Sequence, residues 1–174
     1  MENKTNETQN GSYTMAFLVL RLWLAVRAIV TGIEKFGAYK TTQQPVIDEV
    51  TKMEDPSGAM LEVKVKYYSL TNYSGIPTSL KDKFSREPLL PHPLLAAFDH
   101  VLGPVLILTG LSLLIGLGTR VSLFAQGLLY VMLTVGLILI HQDDGISWLG
   151  IHVALVALAL MLAKHNKFAI LAKW

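Results

Sequence analysis

The sequence predicts an all-α membrane protein: a four-transmembrane-helix antiparallel bundle with a long extracytoplasmic loop between helices 1 and 2. Three observations support this fold class. Of the 174 residues, 52% are hydrophobic and 16% are charged, whereas soluble domains average about 25% charged residues. Four nearly uncharged stretches each approach the ~20 residues that span a bilayer. The last two connections between these stretches are so short that they allow only antiparallel neighbours.

The chain reads as one membrane domain over residues 1–174. Residues 1–14 are polar, and we expect them to be disordered. Pattern and composition predict transmembrane helices at 15–36, 93–117, 121–140 and 146–163. Residues 37–91 form the long connection between the first two of these helices.

The basic residues near the span ends indicate the orientation. The carboxy-terminal tail carries Lys164, Lys167 and Lys173, and Arg120 follows the second span, whereas the turn at 141–145 is acidic. Cytoplasmic loops are enriched in Lys and Arg. We therefore predict a bacterial-type inner (plasma) membrane protein with both termini cytoplasmic.

The connection 37–91 is too long for a simple loop in a compact protein. Residues 62–67 alternate with period two, as a strand does, and 76–84 fit a short amphipathic helix. Residues 55–58 (DPSG) are typical of a turn. We expect a small ordered cap on the extracytoplasmic side, with a mobile loop as the alternative.

Composition excludes several functional classes. The chain has no cysteine and a net charge of +2. Disulfides, thiolate metal sites and cysteine nucleophiles are therefore excluded, and nothing indicates a nucleic-acid partner. The common hydrolase, zinc-protease and nucleotide-binding motifs are absent from the sequence.

Ionisable residues inside the predicted spans are the candidate site, because such groups are costly in hydrocarbon and by default suggest function. On predicted depths, most of them collect in the outer half of the bundle, where His141 of the adjoining turn also lies. The candidate residues are Arg27, Glu34, Asp99, His100, His141 and His152. One interpretation is a site for a polar headgroup such as a quinone carbonyl, with His or Asp exchanging protons. The other is structural, with Arg27 and Asp99 forming a buried pair that fixes helix register.

The remaining polar and small residues in the spans read as structural. Arg21 and Gln126 share a depth near the inner surface and could pair, or Arg21 could extend to that surface. Pro104, after Gly103, could bend the second span. Gly110 and Gly116 permit close helix packing.

Haem ligation would need two histidines facing each other, and His100 with His152 is the one pair at similar depth. Without a repeated pair this is a weak haem pattern, so we do not expect haem. Quinone is the cofactor that the ionisable residues of the outer half favour.

Two runs of residues resemble the DoxX family of small four-helix membrane proteins, which includes DoxD-like relatives. The first helix contains Arg21-x3-Ala25-x6-Gly32-x2-Lys35-Phe36, with Ala25 where the family favours glycine. The second span ends in Gly110-x5-Gly116-Leu117-Gly118-Thr119-Arg120. The DoxD-like relatives are described as subunits of thiosulfate:quinone oxidoreductase. The resemblance thus implies the four-helix fold and a quinone-linked role.

Two functions follow as hypotheses. The first is the membrane subunit of a quinone-linked oxidoreductase system, with its polar site in the outer half of the bundle. The alternative is a non-catalytic scaffold or accessory protein whose 37–91 loop docks an extracytoplasmic partner. Both require the lipid bilayer, and both allow a protein partner or a homo-oligomer. Whether the chain is an enzyme stays open at this point.

Overall fold

The computed structural model describes residues 2–47 and 60–170, with side chains described from residue 10 onward. The described chain is mostly helical. Its elements in chain order are α1 (Glu2–Glu34), β1 (Gly37–Pro45), β2 (Met60–Tyr68), α2 (Thr78–Ser85), α3 (His92–Ile115), α4 (Thr119–Leu139) and α5 (Asp143–Leu162). Short 3-10 turns occur at Leu70–Asn72 and Ala163–His165.

Four helical segments are long and apolar enough to cross a bilayer, which confirms that part of the predicted fold. They are Asn10–Glu34, His92–Ile115, Thr119–Leu139 and Asp143–His165. Each coincides with a predicted span to within a few residues at either end. By length and composition, therefore, the chain fits an integral membrane protein.

The amino-terminal segment differs from the sequence prediction. Helix α1 begins at Glu2, so residues 2–14 are helical rather than disordered. Extending an existing helix costs far less than nucleating one, and this segment contains no proline to stop it. The ring of Tyr13 stacks on that of His165, with centroids 5.0 Å apart, which fixes this part of α1 against the end of α5.

The described chain divides into two compact units. The larger one (residues 1–33 and 74–174) contains the four long helices, except for Glu34 at the end of α1. Its core is built from small and aliphatic side chains of α1, α3, α4 and α5, together with the aromatic rings of Phe17 and Tyr130. Helices α1 and α3 approach closely at their glycines. A Cβ on Gly110 would lie 2.9 Å from the Ala25 carbonyl oxygen, and one on Gly32 would lie 3.1 Å from the Gly103 carbonyl oxygen. The packing role predicted for Gly110 thus has a direct steric basis.

The turn from α3 to α4 depends on left-handed backbone geometry. Gly116 has φ +80° and Gly118 has φ +53°, a region that glycine adopts without steric cost. The Leu117 N–H donates to the Ser112 carbonyl at 2.8 Å, which closes α3 in the manner of a Schellman motif. Helix α3 continues through Pro104 without interruption. Arg120 is exposed in the first turn of α4.

A second, smaller hydrophobic core lies next to α2, in the larger unit. Ile76, Phe84 and Leu137 are its buried members. The predicted amphipathic helix at 76–84 is observed as α2, over Thr78–Ser85. Phe84 also contacts α4, since its ring lies 3.3 Å from where a Cβ on Gly136 would stand.

The smaller unit, residues 34–73, is an antiparallel hairpin of β1 and β2. Strand β2 includes the predicted strand 62–67, whereas β1 was not anticipated, because its polar residues show no alternation. The predicted turn at 55–58 lies outside the described residues. Lys66 donates to Glu34 at 2.8 Å. This hydrogen bond raises the pKa of the Lys66 ammonium well above its usual value, so Lys66 stays charged throughout the physiological range.

Candidate functional site

A buried polar cluster lies between α4 and α5, formed by Gln126, Tyr130 and His152; we call it the polar cluster. Gln126 is 0% exposed, Tyr130 5% and His152 6%. Gln126 and Tyr130 are four residues apart, so they project from the same face of α4. The rings of Tyr130 and His152 meet edge to face, with centroids 5.5 Å apart.

Hydrogen bonds fix the Gln126 side chain in this cluster. Its Nε2 donates to the Leu24 carbonyl of α1 at 3.2 Å and to the Tyr130 hydroxyl at 2.7 Å. Because a carbonyl oxygen only accepts, the amide nitrogen must face Leu24. The amide thus links α4 to α1, and both of its N–H groups are used.

Two acceptor atoms of the polar cluster have no partner among the described side chains and backbone. They are Gln126 Oε1 and His152 Nε2, and both are fully shielded from solvent. A buried polar atom left unsatisfied costs about 1–3 kcal/mol. Since native proteins rarely leave such atoms unpaired, the cluster has hydrogen-bonding capacity that a water molecule or a ligand can use.

Arg27 does not form the predicted pair with Asp99. The structure leaves its side chain exposed on α1.

Asp99 instead anchors the segment that precedes α2. Its Oδ2 pairs with Lys81 Nζ at 2.7 Å, and its Oδ1 accepts from the Ile76 backbone N–H at 2.6 Å. An open pocket of about 280 Å³ adjoins this carboxylate, with His92 and Ser85 also in its wall. These two contacts hold Ile76 and the α2 residue Lys81 against α3.

The other residues predicted for the outer cluster are dispersed. Glu34 belongs to the hairpin unit and accepts from Lys66. His100 is exposed, and its Nδ1 bonds the Ala96 carbonyl one helical turn earlier at 2.8 Å. His141 is exposed in the turn before α5, with φ +52°. Of the predicted cofactor residues, His152 is therefore the one that lies within the polar cluster.

Arg21 bonds neither Gln126 nor a carboxylate among the described residues. It is 4% exposed, and its Nη1 donates to Asn166 Oδ1 at 2.9 Å and to the Phe168 carbonyl at 2.8 Å. Asn166 in turn donates to the Thr119 hydroxyl at 3.0 Å. Arg21 therefore ties α1 to the chain after α5 and to the start of α4.

Sequence reasoning missed Tyr130 and placed Gln126 in a different pair. The spacing of four between them was available as a signal, since it puts both on one helix face. What the spacing could not show is that α5 turns His152 toward the same face. Of the three residues in the candidate site, His152 was predicted to bind a cofactor, Gln126 was interpreted as structural, and Tyr130 was not considered.

The polar cluster offers hydrogen-bonding chemistry. It presents two acceptors, Gln126 Oε1 and His152 Nε2, and a phenolic O–H. Among the described residues, no group of three or more His, Cys, Asp or Glu is placed to hold a metal ion. An oxygen-bearing organic headgroup fits this set of donors and acceptors.

The chain was compared with protein family models, with curated proteins and with solved structures. None of them matches.

Proposed function

We propose that this protein is the membrane subunit of a quinone-linked oxidoreductase system and binds the quinone headgroup at the polar cluster. The observation that carries the proposal is the pair of buried atoms without partners, Gln126 Oε1 and His152 Nε2. The reduced, dihydroxy form of a quinone brings two O–H donors to such a site, and its isoprenoid tail is soluble in lipid. The first-helix and turn residues that resemble the DoxX family support the same role.

The residues present offer a hydrogen-bonding partner to each redox form of this headgroup. The Tyr130 O–H can donate to a quinone carbonyl. His152 Nε2 can accept from the hydroxyl of the reduced form. A bound quinone supplies the electron chemistry, while these side chains orient the ring and hold protons at its oxygens.

Anaerobic binding of a short-chain ubiquinol to the purified protein in detergent tests this function. His152→Phe should weaken quinol binding at least tenfold, because it removes the acceptor for a quinol hydroxyl and leaves an apolar ring in its place. The matched control is His100→Phe. Both histidines bond the carbonyl four residues earlier at 2.8 Å, but His100 is exposed and outside the polar cluster, so its replacement should leave the dissociation constant unchanged.

The measurement is isothermal titration calorimetry, accompanied by thermal melts that establish folding of each variant. Unchanged affinity in well-folded His152→Phe protein would remove the polar cluster from the quinone site. Absence of binding to the unmodified protein would reject the proposed function itself.

We further propose that the four helices form an antiparallel bundle with both termini cytoplasmic and the hairpin unit extracytoplasmic, in a bacterial-type inner membrane. Charge supports this orientation. Between residues 100 and 142, and again after residue 144, the sequence contains no Asp or Glu, while Arg120, Lys164 and Lys167 lie at the ends of α4 and α5. Excess Lys and Arg favour the cytoplasmic side.

Single-cysteine labelling can test the orientation without background, because the natural chain has no cysteine. We expect Tyr39→Cys, in the exposed hairpin, to react with a membrane-impermeant maleimide on intact spheroplasts. Lys164→Cys should react only after permeabilisation. The reverse pattern would invert the orientation.

The hairpin supports a second candidate function, a scaffold that docks an extracytoplasmic protein. Leu61, Val65 and Tyr67 lie on one face of β2 and are 59%, 42% and 43% exposed. Among the described residues, each of these two strands is paired on one side only, and such open edges can pair with another chain. If the protein is a scaffold, titration with quinone should give no binding signal. A stoichiometric complex with the partner protein should be isolated in mild detergent, and deletion of the hairpin should abolish that complex.

A further inference from the structure

The proton positions in the polar cluster follow from its hydrogen bonds. His152 Nδ1 lies 2.8 Å from the Trp148 carbonyl oxygen. Because that oxygen can only accept, Nδ1 must carry the proton. In the neutral imidazole the other nitrogen, Nε2, is then an acceptor, and it is buried without a partner.

Hydrogen bonds also fix the proton positions of Gln126 and Tyr130. Both N–H groups of the Gln126 amide are used by Leu24 and Tyr130, so its remaining buried atom, Oε1, is an acceptor. The Tyr130 oxygen accepts from Gln126, which leaves its own O–H free to donate elsewhere. The polar cluster therefore offers a ligand two acceptors and one donor.

We infer that the polar cluster binds the reduced, dihydroxy form of the quinone more tightly than the oxidised form. This inference rests on the proposed function. A quinol hydroxyl can donate to His152 Nε2 or to Gln126 Oε1, whereas a quinone carbonyl can only accept and finds one donor, the Tyr130 O–H. When the Tyr130 O–H donates to a bound quinone, both buried acceptors stay unsatisfied, at the cost that makes unpaired buried polar atoms rare.

The preference has a thermodynamic consequence. Selective binding of the reduced form raises the midpoint potential of the bound couple. For a two-electron couple, a tenfold preference corresponds to about 30 mV. The site would thus hold quinol until an acceptor of higher potential withdraws its electrons.

Anaerobic titrations with a short-chain ubiquinol and the matching ubiquinone test the inference. We expect the quinol to bind about tenfold more tightly to the unmodified protein. Gln126→Leu and His152→Phe each remove one acceptor and should reduce that ratio. Tyr130→Phe removes the donor and should increase the ratio, because it weakens quinone binding more than quinol binding. This opposite direction distinguishes hydrogen bonding from a general loss of structure.

The outcomes separate this inference from the proposed function. Equal affinities, or tighter quinone binding, overturn the quinol preference but leave a quinone site in place. No binding of either form overturns both. A quinol preference that none of the three variants alters means that the ligand binds elsewhere and that a water molecule satisfies the two acceptors, which also overturns the inference.

Discussion

Gly75→Ala is expected to destabilise the protein by about 3 kcal/mol. A Cβ at this position would collide with the backbone carbonyl of Asp99 and would lie 3.1 Å from the Asp99 Cα. Backbone atoms cannot rotate aside as a flexible side chain can, so the segment before α2 must lift away from α3. Overpacking of this kind costs about 1–3 kcal/mol, and losing the Ile76 N–H bond to Asp99 Oδ1 leaves a buried donor unpaired at a further ~1–3 kcal/mol.

Thermal melts in detergent, with unfolding in a denaturing detergent as a second measure, would record the loss. Gly150→Ala is the matched control, since a Cβ there meets nothing within 4 Å. We expect this control to change stability by less than about 0.5 kcal/mol. If the two variants unfold alike, the segment around Gly75 does not rest on α3.

Asp99→Ala should cost about 2–4 kcal/mol, and Asp99→Asn should cost clearly less. The alanine removes both the ion pair with Lys81 and the acceptor for the Ile76 N–H. Ile76 is only 4% exposed, so its stranded N–H cannot find water easily. Asparagine keeps an oxygen for that N–H and loses only the charge. A partly exposed ion pair contributes about 0–1 kcal/mol.

Lys81→Met isolates the ion pair, because it leaves the Asp99 acceptor in place. Its effect should match that of Asp99→Asn, and both should be smaller than that of Asp99→Ala. Equilibrium unfolding of the three variants measures this order. Equal losses for Asp99→Asn and Asp99→Ala would assign the stability to the charge instead of the backbone contact.

The positions of the four helices were predictable from sequence for a simple reason. A bilayer-spanning helix needs about 20 apolar residues, and that requirement is local and can be counted along the chain. Boundaries were less certain, as α1 shows. Its polar first turns carry no signal of burial, yet they continue the helix because nothing in residues 2–14 interrupts it.

The pairing of polar groups was not predictable in the same way. Depth along a span placed Arg27 opposite Asp99, but depth does not specify which helix face each side chain occupies. The structure directs Asp99 to Lys81 and Ile76, and leaves Arg27 exposed on α1. Lys81 is separated from the third helix by an irregular segment, so its approach to Asp99 has no signature in hydrophobic periodicity.

The sequence by itself determined that this is a chain of four apolar helices with few ionisable residues inside them, because hydrophobic length and charge are properties of contiguous residues. Only the tertiary structure decided which of those polar residues meet. Gln126, Tyr130 and His152 converge through the rotation of α4 against α5 and through an amide bond to the backbone of α1. Helix rotation depends on side-chain packing across the whole core, and for that reason the candidate site emerged from the fold.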